Sequence, residues 1–331
     1  MLALLLLLQT PVLETQPTTT SRRLQAISPV SASVVWVSGT GGTWGLTTDG
    51  GASWRIGVVP EADSLEFRDV QGFDSTRALL LAAGPGDKSR VYQTSDGGAT
   101  WQLRFLNSES EAFYDCFAFW DATAGFAVSD AVNGVLPVLW TADGGRQWRV
   151  LDSLPPAVKG EGAFAASGTC VATWGDSTAW IATGAGEQAR ILRTRNRGAT
   201  WTAVVTPIVQ GKPSSGHASV AFRSARVGIA AGGDIADTLT TAARVVITSD
   251  GGATWRVGGT PTFHGAVYGV AFAPGTPKVV AVGPSGASWS RDGGKTWLPL
   301  DAPSHWSVAF ATATTGWMVG PGGRITKIRL P

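Results

Sequence analysis

The sequence predicts an all-β protein, a seven-bladed β-propeller of four-stranded antiparallel blades, on three observations. The phrase Thr/Ser-x-Asp/Asn-x-Gly-x-x-Trp recurs six times, at intervals of about 42 to 54 residues. This interval is the length of one four-stranded blade. Between the copies, short runs rich in Val, Ile, Phe and Trp are typical of strands, and no segment has the period of a long amphipathic helix.

The recurring phrases, here named the repeat turns, contain the residues that a tight turn requires. The Asp or Asn side chain accepts hydrogen bonds from nearby backbone N–H groups, Gly supplies a positive φ, and the Trp ring packs beside the outer strand. The acid or amide stands at Asp49, Asp96, Asp143, Asn196, Asp250 and Asp292. The ring stands at Trp54, Trp101, Trp148, Trp201, Trp255 and Trp297. Five aspartates and one asparagine at the same position of six repeats indicate a scaffold rather than a catalytic or calcium site.

The fifth unit shows the order of elements most clearly. Its predicted pieces are Ser219 to Phe222, Val227 to Ala231, Arg244 to Thr248, and the turn with its Trp from Asp250 to Trp255. Each piece has the alternation and the composition of a strand. The same order of strands and turn repeats in the other units.

The seventh unit lacks a fourth strand of its own. It has Ser307 to Phe310, Gly316 to Gly320 and Arg324 to Ile328, after which the chain ends. We expect the missing strand to come from the N-terminal segment before Leu24. Such a pairing of the N- and C-terminal strands closes the ring and removes exposed sheet edges.

The charge distribution does not favour a nucleic-acid partner. The 26 basic and 24 acidic side chains give a formal charge of +2 and form no long basic run. We therefore expect no nucleic-acid partner.

The N-terminus has the character of an export leader. Residues Met1 to Leu8 are almost all leucine, and Glu14 to Ser21 form a polar segment with little reason to fold. The expected organisation is a leader and tether at residues 1–21 and one propeller at residues 22–331. The mature protein is expected to be an exported monomer, periplasmic or secreted, without a membrane span.

The repeat turns resemble the Asp-box repeats of sialidases and of the photosystem II stability and assembly factor group, also called YCF48-related propellers. The whole pattern, including Gly316 to Gly320, is most similar to the second group over nearly the whole chain. The runs Phe119 to Gly125, Gly160 to Gly168 and His217 to Phe222 resemble a bacterial branch often labelled oxidoreductase-like. The resemblance implies a non-catalytic scaffold for binding or assembly.

A glycoside hydrolase of the sialidase type is the second hypothesis. Sialidases combine three arginines, a Tyr and Glu nucleophile pair and an Asp acid, and begin with a motif such as Arg-Ile-Pro, which this chain lacks. Its tyrosines are Tyr92, Tyr114 and Tyr268, none in the family's context. Hydrolysis stays an alternative, because two carboxylates that are distant in sequence can lie close together in the folded protein. The catalytic candidates are Glu161, Asp234 and His217.

The binding site is expected on the face opposite the repeat turns. In an up-and-down blade, the loops into the first strand and between the second and third strands emerge there, and long loops on a rigid scaffold carry binding residues. The predicted polar rim around the channel contains Tyr114, Asp115, Asp130, Glu161, His217, Asp234, His264 and His305. A protein partner, a small ligand or a glycan would bind at this rim. The histidines there either bind metal or move protons, or simply form capping hydrogen bonds.

Cys116 and Cys170 align at one position on the inner strands of neighbouring blades. In an exported protein they form either a disulfide or two buried free thiols. No metal site is predicted from them. The sequence contains no phosphate-binding glycine loop, nucleophile elbow or haem attachment motif, so no cofactor is expected. An oxidoreductase would need such a motif.

Overall fold

The computed structural model describes residues 10–151, 154–241 and 243–331, and these form seven four-stranded antiparallel sheets. The predicted β-propeller is confirmed. The leader expected at Met1 to Leu8 lies outside the described residues.

Blades 1 to 3 each follow the chain from an inner to an outer strand. Blade 1 contains β2 (Leu24–Pro29), β3 (Val35–Gly39), β4 (Thr43–Thr47) and β5 (Arg55–Val58). Blade 2 contains β6 (Phe67–Gly72), β7 (Ala78–Ala82), β8 (Arg90–Thr94) and β9 (Gln102–Leu106). Blade 3 contains β10 (Tyr114–Phe119), β11 (Gly125–Ser129), β12 (Val138–Thr141) and β13 (Arg149–Leu151).

Blades 4 to 6 repeat this order. Blade 4 contains β14 (Val171–Trp174), β15 (Thr178–Ala182), β16 (Arg190–Thr194) and β17 (Thr202–Val205). Blade 5 contains β18 (Ser215–Phe222), β19 (Gly228–Asp234), β20 (Val245–Thr248) and β21 (Arg256–Val257). Blade 6 contains β22 (Gly269–Phe272), β23 (Val279–Gly283), β24 (Gly286–Ser290) and β25 (Leu298–Asp301).

Blade 7 joins the two ends of the chain. It contains β26 (Ser307–Phe310), β27 (Thr315–Val319), β28 (Ile325–Arg329) and, as its outer strand, β1 (Val12–Gln16). The expected ring closure is confirmed. The segment from Glu14 was expected to stay unfolded, but Glu14 pairs with Lys327 and Gln16 with Ile325. The sheet therefore includes chain before residue 22, because β28 offers an unpaired edge whose backbone groups gain hydrogen bonds.

Two short 3₁₀ turns complete the described elements, at Gly86–Lys88 and Pro321–Gly323. No helix in the described ranges has the length and apolar character needed to cross a bilayer.

The repeat turns are held by their own side chains. In the blade 2 copy, Thr94 donates to Asp96 over 2.9 Å, and the N–H and hydroxyl of Thr100 donate to the same carboxylate over 2.9 and 2.6 Å. The N–H of Gly98 then donates to the Thr94 hydroxyl over 2.8 Å. These bonds hold the pKa of Asp96 at about 2, with the Thr100 hydroxyl as the largest cause.

In blade 5 the predicted turn is confirmed at residues 250–255, and the short fourth strand, Arg256–Val257, follows it. The carboxylate of Asp250 folds this turn back on Thr254.

The hydrophobic core lies between blades. Seven clusters of buried side chains are found among the described residues, one between each pair of neighbouring blades. Trp indoles tie neighbours together: Trp36 of blade 1 donates to the carbonyl of Asp74 over 2.8 Å, and Trp180 of blade 4 donates to that of Gly251 over 2.9 Å. Each blade therefore depends on both neighbours, which makes the ring rigid.

Candidate functional site

The two faces of the ring carry different loops. The repeat turns lie beside the loops that follow the inner strands, as shown by the N–H of Gly97 donating to Thr76 and that of Gly144 to Thr123, over 2.7 and 2.8 Å. The loops into the inner strands and those between second and third strands therefore emerge on the other face.

A loop from blade 4 crosses the central channel. Gly162 forms two backbone hydrogen bonds with Gly184, and the carbonyl of Cys170 accepts from Ala182 over 2.8 Å. Between these two anchors, residues 163–169 leave the sheet; we name them the plug loop. The loop is rich in Ala, Gly and Ser, whose small side chains fit the narrow axis.

The plug loop contacts blades on the far side of the axis as well as its neighbours. Ser167 donates to the carbonyl of Tyr268 over 2.7 Å and accepts at its own carbonyl from Ser307 over 3.2 Å. Arg68 donates to the carbonyl of Ala165 over 3.2 Å. These contacts reach blades 6, 7 and 2, so the loop divides the channel into two cavities.

The plug loop ends at a disulfide. Cys170 is bonded to Cys116 of the blade 3 inner strand, with their Cα atoms 6.0 Å apart. Of the two alternatives left open by the sequence, the disulfide is therefore the one that the structure contains. The bond covalently ties the end of the plug loop to the neighbouring blade.

The larger cavity, of about 720 Å³, opens on the face opposite the repeat turns. We name it the acidic cavity. Its floor is the plug loop, and its polar wall is formed by Arg68, Glu111, Asp115, Asp130, Lys159 and Glu161. A second cavity of about 250 Å³ lies on the repeat-turn side of the loop.

Asp115 and Asp130 form a carboxyl pair in the acidic cavity. Asp115 is 1% exposed, and its pKa is raised well above the ordinary value by burial and then by the charge of Asp130. Burial also raises the pKa of Asp130 to about 6, although the N–H of Ala163 donates to its Oδ1 over 2.9 Å. Two adjacent buried carboxyl groups do not both ionise near neutral pH, so the pair shares a proton.

Glu161 also lines the cavity, but protein groups occupy its carboxylate. Arg190 donates from both Nε and Nη2, and Thr183 and the N–H of Val158 donate over 2.6 and 2.9 Å. The Glu161 side chain is fully buried and that of Arg190 is 10% exposed. This ion pair holds the loop that leads into the cavity wall.

The predicted rim residues His217 and His305 are fully buried. Nε2 of His217 lies 2.7 Å from the Thr206 hydroxyl, and Nε2 of His305 lies 2.8 Å from a carboxylate oxygen of Asp301. Burial lowers the pKa of His217 to about 3 and also lowers that of His305, against the opposing effect of Asp301. Both therefore act here as buried hydrogen-bonding groups beneath the surface.

Three further predicted rim residues lie away from the acidic cavity. Asp234 accepts from Lys212 and Ser214 over 2.9 and 2.7 Å, and these bonds, that of Lys212 first, lower its pKa to about 2. Tyr114 is buried edge-on against Phe105, and burial raises its pKa to about 12. His264 is exposed, and its backbone N–H donates to Ser285. The structure thus brings together only the acids of blades 3 and 4.

Sequence reasoning missed several residues at this face. Arg68 reaches the plug loop from blade 2, while Arg23 stacks on Trp306, with its Cζ 4.4 Å from the ring centroid. Tyr268 packs on the same indole, with the ring centroids 4.9 Å apart. The run from Gly160 to Gly168 has no strand alternation, which was the only signal of a plug.

Within the described part of the chain, no three His, Cys, Asp or Glu side chains are grouped so that they could hold a metal ion. The geometry of the acidic cavity instead provides hydrogen-bond acceptors and a shared proton.

The sequence matches no protein-family model and no curated protein. Its structure is similar to that of YCF48 bound to a D1 peptide, with a TM-score of 0.66, 16% identity, and coverage of 98% of this chain and 99% of that chain. It is also similar to YCF48 from Cyanidioschyzon merolae, with a TM-score of 0.66, 17% identity, and coverage of 96% of this chain and 98% of that chain. The chain has the fold of YCF48. U3-55K shares it at a TM-score of 0.65 and 11% identity, with coverage of 96% and 98%, so the fold alone does not assign a function.

Proposed function

We propose that the protein is an exported, non-catalytic scaffold that holds a segment of a partner protein in the acidic cavity. One observation carries this proposal: an open cavity of about 720 Å³ lies between the long loops of blades 3 and 4 and above a covalently tied floor. Its volume is in the range of sites that enclose small ligands or a few side chains.

The cavity wall suits a peptide. Much of it is backbone, including Gly134, Gly160 and Gly162, beside the apolar side chains of Phe113 and Val158. Backbone groups pair with an extended chain, and apolar patches receive its side chains. The solved structure of YCF48, which has this fold, contains a D1 peptide, and this supports a protein segment as the first choice of ligand.

Export is supported by the disulfide between Cys116 and Cys170, since such bonds persist in oxidising compartments. The leucine-rich Met1 to Leu8 agrees with this placement. In such a compartment, assembly of an envelope or redox complex would be a fitting task for the scaffold. Export is tested by locating the tagged full chain in cell fractions and by sequencing its N-terminus.

Glycan hydrolysis remains the alternative from the sequence, with Glu161 and Asp234 as its acids. Both carboxylates are engaged by cations and hydroxyl groups of the protein itself, so each would have to give up a partner to act on a substrate. Redox chemistry remains a further alternative, and it would need a bound chromophore or metal in the purified protein.

The scaffold is tested by capture of partners on immobilised full-length protein, followed by mass spectrometry. Ala131→Trp fills the acidic cavity from its half-buried wall position, and Ala142→Trp makes the same change at an exposed site on the repeat-turn face. A partner held by the wild type and by Ala142→Trp but lost with Ala131→Trp supports the proposal. Equal capture by both variants, or turnover of fluorogenic glycosides without a partner, overturns it.

A further inference from the structure

Apart from the exposed Glu111, the carboxyl groups of the acidic cavity that have neither cation nor hydroxyl attached, among the described residues, are those of Asp115 and Asp130. Apart from the proton shared with Asp130, no N–H or O–H group of the described residues reaches Oδ2 of Asp115, although that atom is buried. A buried acceptor without a donor costs free energy, and native proteins rarely keep one without a reason. Asp115 lines the cavity, so a group that enters the cavity reaches this carboxyl.

The pair is held in place before any ligand arrives. The N–H of Ala163 donates to Oδ1 of Asp130 over 2.9 Å, and the backbone of Ala165 donates to Asp115. The backbone of Asp130 is fixed as well, since its N–H donates to Phe113 over 3.0 Å and its carbonyl accepts from the Ser129 hydroxyl over 3.0 Å. Both carboxyl groups are therefore tied to the plug loop, and an incoming group meets a fixed geometry.

No resident cation of the described residues forms an ion pair with Asp115 or Asp130. The charged groups around the pair are Glu66, Arg68, Glu111, Lys159, Glu161 and Arg190. Arg68 lowers the pKa of Asp115 but is itself paired with Glu66 over 2.8 Å, and Arg190 is paired with Glu161. Lys159 is exposed at the cavity edge.

We infer that Asp115 and Asp130 form the binding site, here named the cation site, for a cationic side chain of the bound segment. That side chain is the ammonium of a lysine or the guanidinium of an arginine. This inference rests on the proposed function, since the segment is the one that the scaffold holds. The incoming cation takes the position of the shared proton and leaves two carboxylates paired with one cation. The displaced proton passes to solvent, so charge and protons balance.

The remaining wall fits the stem of such a side chain. Phe113, Val158 and Phe164 line the cavity beside the acids, and the methylene groups of lysine or arginine pack on apolar surfaces of this kind. The charged end reaches the pair and the stem stays on the apolar wall. Binding should strengthen as the pH rises through the raised pKa of the pair, because fewer protons then compete.

The test uses n-butylammonium and n-butylguanidinium as side-chain analogues, with n-butanol as the uncharged control, on the full-length wild type. Calorimetric titration at pH 6 and at pH 8, in two buffers with different heats of ionisation, measures affinity and proton release. We expect both cations to bind, tighter at pH 8, with release of about one proton at the lower pH. Comparison of the affinities of the two cations shows whether the cation site prefers lysine or arginine.

Asp115→Asn keeps the shape of the protonated acid but removes its charge, and should weaken cation binding about tenfold or more and reduce proton release, since only Asp130 can then lose a proton. Asp130→Asn provides a second variant at the more exposed member of the pair. Asp176→Asn, exposed on the repeat-turn face, is the matched control and should bind like the wild type. Thermal unfolding confirms that each variant is folded.

Three results would overturn the inference: no binding of either cation, equal binding of n-butanol, or preferential binding of Mg²⁺ or Ca²⁺ at the pair. The test separates the inference from the proposed function. If partner capture survives Asp115→Asn and no alkyl cation binds, the proposed scaffold function is supported and the cation site is contradicted. If the cations bind but Ala131→Trp leaves partner capture unchanged, Asp115 and Asp130 form a cation site, but the proposed function fails and no bound segment supplies the cation.

Discussion

Cys116 and Cys170 join the inner strand of blade 3 to the end of the plug loop, so one covalent bond holds both the blade contact and the floor of the acidic cavity. The N–H of Cys170 also points to Sγ of Cys116, at 3.2 Å. The rest of the loop depends on single hydrogen bonds to side chains such as Ser307 and Arg68.

Reduction of this disulfide should lower the free energy of unfolding by about 2 to 4 kcal/mol, because the open chain gains freedom when unfolded. Urea unfolding of the wild type with and without reductant measures the change. Cys116→Ala/Cys170→Ala is the control, since reductant should not shift its midpoint. Identical midpoints for oxidised and reduced wild type would contradict the expectation.

Glu161→Gln should destabilise the protein by about 3 to 5 kcal/mol, because the guanidinium of Arg190 would remain buried without a counter-charge. Urea unfolding at neutral pH measures this change. The double variant Glu161→Gln/Arg190→Met should recover part of the loss, since the unpaired charge is gone. A single variant with wild-type stability would show that the ion pair does not hold the cavity wall.

Stability should depend on the protonation of His217. Burial holds its pKa at about 3 in the folded state, while the unfolded chain takes up this proton near pH 6.5. The unfolded state therefore binds more protons between these values, and stability falls as the pH drops through this window. Between pH 7 and pH 5 the His217 contribution to the loss is about 2 kcal/mol.

His217→Asn keeps a partner for Thr206 and removes the titration, so its stability should fall less between pH 7 and pH 5 than that of the wild type. Denaturant titrations at both pH values make the comparison. The exposed His264→Asn serves as the control and should follow the wild type. Parallel losses in all three proteins would rule out a buried neutral imidazole.

Removal of residues 1–16 should lower the thermal midpoint and cause self-association, because β28 would lose its partner β1 and expose a strand edge. The deletion also removes the Gln16 side chain, which accepts from the Trp54 indole over 3.2 Å. Light scattering after size exclusion and thermal scans measure both effects. A chain that begins at Pro11 keeps β1 and should behave like the full chain; equal behaviour of the two truncated chains would contradict this prediction.

The blade architecture could be predicted because its signals are local. The hydrogen bonds of a repeat turn connect residues within five positions, as between Thr94, Asp96 and Thr100. The same turn chemistry appears in every copy, so the number of blades followed from counting. In blade 5 the turn at residues 250–255 was predicted in this way, and the fourth strand follows it at Arg256–Val257.

The site was only partly predictable. Placement on the face opposite the repeat turns followed from up-and-down topology, and this brought Asp115, Asp130 and Glu161 into consideration. Their different states did not follow from the sequence, because Glu161 lies in the loop before blade 4 and its partner Arg190 lies 29 residues further on, in β16. Asp115 is in turn buried by a loop of that same blade. His217 and His305 were predicted at the rim because each precedes an inner strand, yet packing buries both side chains.

The sequence by itself determined the all-β repeat architecture, the number of blades and the origin of the closing strand, since each depends on local turn chemistry and on the count of strands. Only the tertiary structure decided that residues 163–169 cross the channel, that Cys116 is bonded to Cys170, and that Asp115 and Asp130 share a cavity. The physical reason is ring closure. Closure brings blades that are distant in sequence to one axis, and burial and charge at that axis depend on all of them together.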